Sequence, residues 1–153
     1  MNLKVTNILS TGAKTLFFKH ETLRFKYSLS FLNMLLDSFK NTFNLKELKK
    51  GWFPHKFSRP QNFDYKGAIP NIDYCEPNTM KTKKKKEFEK WYAEQLEKDD
   101  IWNLKEELLR YYESDVQLMK EGCMKFVEEF RKTAKFDPMI QCTTIASACH
   151  YFW

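Results

Sequence analysis

The sequence predicts an α/β fold, with its strands first and its helices last. Three observations predict it. Short apolar segments, one of them alternating over Leu23–Tyr27, give the first thirty positions the look of strands, apolar residues recur at helical spacing from Phe88 onward, and a proline-rich aromatic middle separates the two regions. The chain has 153 residues, about one domain's worth, which is long enough to bury a core. Its hydrophobic share of 42% lies only a little below that of ordinary globular proteins, which excludes wholesale disorder. With 14 Phe, that core is built largely from flat rings.

Leu3-Lys4-Val5-Thr6 and Thr15-Leu16-Phe17-Phe18 flank Ser10-Thr11-Gly12, which reads as a turn. Leu23-Arg24-Phe25-Lys26-Tyr27 alternates apolar with basic residues, the period of a half-buried strand. Between Phe31 and Phe43 the apolar positions (31, 32, 35, 36, 39 and 43) change to helical spacing and predict a short helix. The stretch from Lys49 to Thr82 contains Pro54, Pro60, Pro70 and Pro77, so neither a long helix nor a central strand runs through it. Its aromatic residues need covering surfaces, which predicts an ordered loop rather than a linker. Helices are expected around Phe88–Leu96 and from about Asn103 to Lys132. Asp137-Pro138 ends the helical stretch, because a residue before proline disfavours the α region. The tail Cys142–Cys149 is small and apolar and is expected to pack closely, and the abrupt stop at Trp153 suggests truncation.

Scarce residues exclude several functions. The four glycines are Gly12, Gly51, Gly67 and Gly122, too scattered for a dinucleotide fingerprint or a P-loop. His20, His55 and His150 form no zinc-protease helix, and Cys75, Cys123, Cys142 and Cys149 form no CxxC pair. Four reduced cysteines in an intracellular protein are expected. No stretch approaches the ~20 apolar residues that cross a bilayer, so no membrane partner is expected. Lys and Arg outnumber Asp and Glu by 26 to 20, a net charge of +6 that suits a polyanion. The run Lys81-Thr82-Lys83-Lys84-Lys85-Lys86 concentrates that charge. It reads either as a solvated helix start or, through Lys83, Lys84, Lys85 and Lys86, as a phosphate-binding patch.

One acid stands out. At 100° per residue, Leu104, Leu108, Tyr111, Leu118, Met119, Gly122 and Phe126 lie within about 60° of one direction, and Asp115 falls at the centre of that stripe. A carboxylate on an apolar face costs several kcal/mol, on the order of an ion's desolvation penalty, unless it is paired or binds a cation. Two readings stand: a structural acid held by a cation or by loop amides, or a metal ligand or general base. Tyr111, one turn earlier, could place a water beside a divalent ion held by Asp115, and Mg²⁺ prefers such hard oxygen donors.

Tyr111-Tyr112-Glu113-Ser114-Asp115-Val116 resembles the third exonuclease motif, Tyr-x-x-x-Asp, of family B DNA polymerases, above all the protein-primed branch of large transposons, linear plasmids and related viruses. Further segments resemble that branch in the same order: Phe25–Leu32, Lys50-Gly51-Trp52-Phe53-Pro54-His55-Lys56-Phe57, Tyr65-Lys66-Gly67-Ala68-Ile69-Pro70, Glu87–Tyr92 and Thr144–Cys149. The resemblance covers roughly residues 24 to 153. It implies a partial ribonuclease-H-like exonuclease domain over 1–135 and the start of the connection to a polymerase domain over 136–153. It implies Asp115 as a metal ligand, Tyr111 as the residue that orients the attacking water, and Lys50 as an auxiliary lysine. Mg²⁺ or Mn²⁺ would be the cofactor. DNA with a single-stranded 3′ end or a primer-template, deoxynucleotides and a terminal priming protein would be the partners.

The implied activity is DNA-directed DNA synthesis with 3′–5′ proofreading. A transposon origin in a eukaryote would place the protein in the nucleus. The Asp-x-Glu motif of the first exonuclease strand, the second motif's Asp and the palm motifs are missing, and Tyr27-Ser28-Leu29 stands where the family reads Asp-Ser-Leu. An isolated chain is therefore expected to be inactive. The alternative is a non-catalytic, basic nucleic-acid-binding or interaction module.

Overall fold

The computed structural model describes residues 6–45, 52–98 and 100–153. The expected strand at Leu3–Thr6 lies outside them except at Thr6, as do Lys49, Lys50, Gly51 and Asp99. The fold is mixed α/β with small antiparallel sheets. The chain divides into two compact units, one formed by Met1–Leu48 with Leu118–Trp153 and the other by Lys49–Gln117.

The first unit opens with an antiparallel meander of strands β1 (Thr6–Thr11), β2 (Lys14–His20) and β3 (Leu23–Lys26) in the order β1-β2-β3. Gly12 adopts φ 59° in the β1–β2 turn, a left-handed geometry that costs glycine little. Phe18 lies opposite Phe25, and their rings stack at 4.4 Å. The expected helix over Phe31–Phe43 is shorter: α1 covers only Leu36–Thr42. Ser28–Ser30 forms a 3₁₀ turn whose first carbonyl accepts from both the Phe31 and Leu32 amides, and Leu35 is extended with ψ 144°. Phe31 and Leu32 thus enter the core from a turn, and their spacing mimics a helical face.

That core joins Phe31, Leu32, Phe39 and Leu45 to Leu118, Cys142 and Ala148. Leu118 belongs to the long helix α3 (Leu104–Ala134), which runs from one unit into the other. Phe39 lies against Gly122 of α3, where an added Cβ would collide with the ring. Asp137 then caps α4 (Pro138–Gln141), accepting from the Met139 and Ile140 amides and pairing with Arg131. The small-residue tail forms helix α5 (Ile145–Phe152), started by a reciprocal Thr144–Ser147 capping box.

The second unit is the aromatic loop with its supports. Three 3₁₀ turns (Pro60–Asn62, Ile72–Cys75 and Pro77–Thr79) shape it, since proline favours tight turns over helix. Strands β4 (Lys66–Gly67) and β5 (Trp102–Asn103) pair briefly. Helix α2 (Thr82–Glu97) buries Phe88 completely, with Trp52 at 5.2 Å and Trp91 at 5.9 Å. The Tyr92 hydroxyl donates to the Pro70 carbonyl at 3.1 Å. Phe53, Phe57, Leu104 and Tyr111 form the unit's core, with Tyr65, Trp102 and Leu108 around them. Among the described residues no helix is long and apolar enough to cross a membrane.

Candidate nucleic-acid and metal site

Helix α3 positions the two residues of the Tyr-x-x-x-Asp motif. Its start is fixed by Asn103, whose side chain accepts from the Lys105 amide at 3.2 Å and donates to Glu106 at 2.7 Å. Leu104, fully buried, anchors the first turn, and its amide donates to the Tyr65 carbonyl. Two turns on, Tyr111 is only 8% exposed. Its ring packs 5.3 Å from Phe53 and 5.2 Å from His55, the imidazole standing nearly perpendicular at 83°. Phe53 is itself buried and His55 is exposed, so the Phe53-Pro54-His55 turn lays one residue under Tyr111 and the other at the surface.

Asp115 comes one turn later. It is half-buried, and its Oδ1 is closed off from solvent. The helix thus places Tyr111 and Asp115 on the face that the apolar periodicity indicates. Lys50, the third residue of the expected site, lies outside the described residues.

A divalent ion needs several oxygen or nitrogen donors, more than one carboxylate supplies. Among the described residues no group of three or more His, Cys, Asp or Glu comes together. The donor set of the described residues therefore does not fit a complete Mg²⁺ or Mn²⁺ site.

The basic run begins just before α2 and fills its first turn. Lys83, Lys84 and Lys86 are exposed, whereas Lys85 is half-buried between Asn78 at 3.1 Å and Glu89 at 4.0 Å. No acid stands in that first turn, so the lysines face the positive end of the helix dipole uncompensated by a first-turn carboxylate. Two other groups shape the surface near the aromatic cluster: Lys105 pairs with Asp64 and lies 5.0 Å over the Phe63 ring, and Lys56 pairs with Glu76 at 2.8 Å. The pairing with Lys105 holds the Asp64 carboxyl below its ordinary range.

Two residues with clear structural work do not announce themselves in the sequence. Lys26, one basic position of an alternating strand, sends its ammonium to the carbonyls of Met139 and Cys142 at 2.6 Å and of Ile140 at 3.3 Å. Burial and then the neighbouring Arg24 charge push its pKa below the ordinary lysine value. Nothing local signals a partner more than a hundred residues away. His55 has a fainter signal, a polar ring inside a run of aromatics, Trp52-Phe53-Pro54-His55-Lys56-Phe57, which marks a ring packed on other rings. Cys75, Cys123, Cys142 and Cys149 are free. Burial pushes the Cys75 thiol up to about 11.

No curated protein and no solved structure matches the chain. A family model does: DNA polymerase type B, organellar and viral, over residues 4–153. That span takes in both compact units, the Tyr111–Asp115 helix and the aromatic loop, and the chain belongs to the organellar and viral type B DNA polymerases.

Proposed function

We propose that the chain is the exonuclease region of a protein-primed type B DNA polymerase, and that Tyr111 and Asp115 serve the 3′–5′ proofreading site of the complete enzyme. The observation that carries this reading is their placement one turn apart on α3, with one Asp115 oxygen sealed from solvent, in a chain of this family. A half-sealed carboxylate on an apolar helix face suits the floor of an ion site better than a solvated surface. In this reading Asp115 would hold one position of a divalent ion that supplies an activated water, Tyr111 would orient that water, and Lys50 would support the arrangement. The remaining donors come from elsewhere in the enzyme.

The fold of residues 1–135 is then part of a ribonuclease-H-like domain, and 136–153 leads toward the polymerase domain. Divalent metal, DNA and deoxynucleotides are implied by the family, and a terminal protein would supply the priming hydroxyl. The isolated chain neither polymerises nor degrades DNA. Incubating it with Mg²⁺ and end-labelled single-stranded DNA tests this: intact DNA is expected. Metal-dependent shortening abolished by Asp115→Ala would overturn it.

A second reading is favoured by the lysines at the start of α2, which crowd positive charge onto an already positive helix end. Phosphates would offset that repulsion, giving salt-dependent, sequence-indifferent DNA binding through Lys83, Lys84, Lys85 and Lys86. Replacing Lys83, Lys84 and Lys86 by Gln is expected to flatten the slope of log K against log salt by about 2, at roughly 0.7 per phosphate on single strands. An unchanged slope would dismiss the patch.

A further inference from the structure

From Pro138 onward the chain holds to its unit by few attachments. Helix α4 has four residues and α5 has eight, lengths that are marginal in water on their own. Ala148 is the buried residue of α5, whereas Tyr151 and Phe152 are exposed, with the Tyr151 ring meeting Phe136 edge-on at 4.9 Å. Between the helices, Cys142 is buried in the cluster that holds Phe31, Phe39 and Leu118. Beside this thin apolar attachment stands a concentrated polar one. The Lys26 ammonium has three N–H donors and meets three carbonyls, those of Met139 and Cys142 at 2.6 Å and that of Ile140 at 3.3 Å. They lie at the end of α4, where a helix favours a cation. The near end of the segment is fixed separately, since Asp137 caps α4 and pairs with Arg131 of α3. The Thr144–Ser147 capping box is internal, so α5 can move without losing its start.

We propose that residues 138–153 form a strap that Lys26 latches to β3, and that this strap opens as a unit about Asp137 while the meander and α3 stay folded. Opening withdraws Cys142 and Ala148 from the cluster and uncovers Phe31, Phe39 and Leu118, which the closed strap shields. Segments with few buried apolar groups are the ones that open below the limit of global unfolding. The latch governs how often this happens, because one charged donor makes or breaks all three carbonyl bonds together. Neither DNA nor metal enters this device, so the exonuclease reading of Tyr111 and Asp115 stands or falls separately.

The buried Cys142 thiol reports the opening, because a reagent reaches it when the strap lifts. The test measures its modification by iodoacetamide in the full chain, resolved by peptide mapping, together with amide hydrogen exchange at the same pH. Lys26→Met keeps the stem and removes the donors. It is expected to speed Cys142 modification, and exchange of the amides from Cys142 to Cys149, about tenfold. The amides of β2 and of Leu118–Phe126 in α3 should exchange as in the wild type, and exposed Cys149 should react at its wild-type rate. An unchanged Cys142 rate overturns the proposal. So does acceleration by the same factor in β2 and α3, which would make Lys26 a support of the whole unit and leave no strap. The unaltered chain gives a check that needs no variant to fold. An ammonium held by three carbonyls exchanges its protons slowly enough to give a ¹H–¹⁵N NMR signal, and the absence of that signal for Lys26 overturns the latch.

Discussion

Gly122 sits where helix propensity and packing ask for different residues. Alanine would favour the helix by about 1 kcal/mol. Its Cβ would also collide with Phe39, and the atoms met are ring carbons of a buried side chain rather than a movable tip. Overpacking of this kind costs roughly 1–3 kcal/mol, so Gly122→Ala is expected to lower the stability seen in urea denaturation, against the trend for an exposed helix. Lys26 makes the opposite case, a charged residue whose work is structural. Lys26→Met keeps the stem and removes three carbonyl contacts, with an expected loss of about 1–2 kcal/mol by the same measurement. At Cys75, a thiol raised from 9.0 to about 11 carries roughly a hundredfold less thiolate at neutral pH. Iodoacetamide labelling with peptide mapping should mark exposed Cys149 first and Cys75 late. Raising the pH toward 11 should close the gap.

Helix α2 carries a conflict of its own, since four lysines stand where a helix favours acids. Lys83→Glu with Lys84→Glu is expected to raise the helix's stability by about 0.3–1 kcal/mol per site at low salt and to weaken DNA binding at the same time. Better folding with poorer binding would separate a functional patch from an accidental one. Elements of this kind were legible in the sequence because one period governs each. The apolar run Leu16-Phe17-Phe18 and the alternation around Phe25 gave away β2 and β3, and the spacing from Leu104 to Phe126 gave away α3 and the unusual place of Asp115. Helix α1 misled because Phe31 and Leu32 satisfy a helical spacing from within a turn. Helix α5 was hidden by its composition, although Thr144 and Ser147 spell its cap. The grip of Lys26 on α4 and the contact of His55 with Tyr111 depend on long-range packing, which no local period records.

At the scale of the whole chain, a net charge of +6 suits a polyanionic partner such as the DNA of the family's enzymes. Strand β1 ends the meander with Ile8 62% and Leu9 48% exposed. An outer strand with exposed apolar side chains invites pairing between copies. Light scattering should therefore show association that grows with concentration, and Ile8→Lys is expected to suppress it. The division of the chain adds a matter of timing. One compact unit is contiguous, Lys49–Gln117, while the other gathers Met1–Leu48 and Leu118–Trp153 from the two ends. A ribosome delivers residues in order, and units fold as they are completed. The middle can thus settle while Phe31 and Phe39, made before it, still lack Leu118, Cys142 and Ala148 to close over them. What is made before the middle waits longest for its cover.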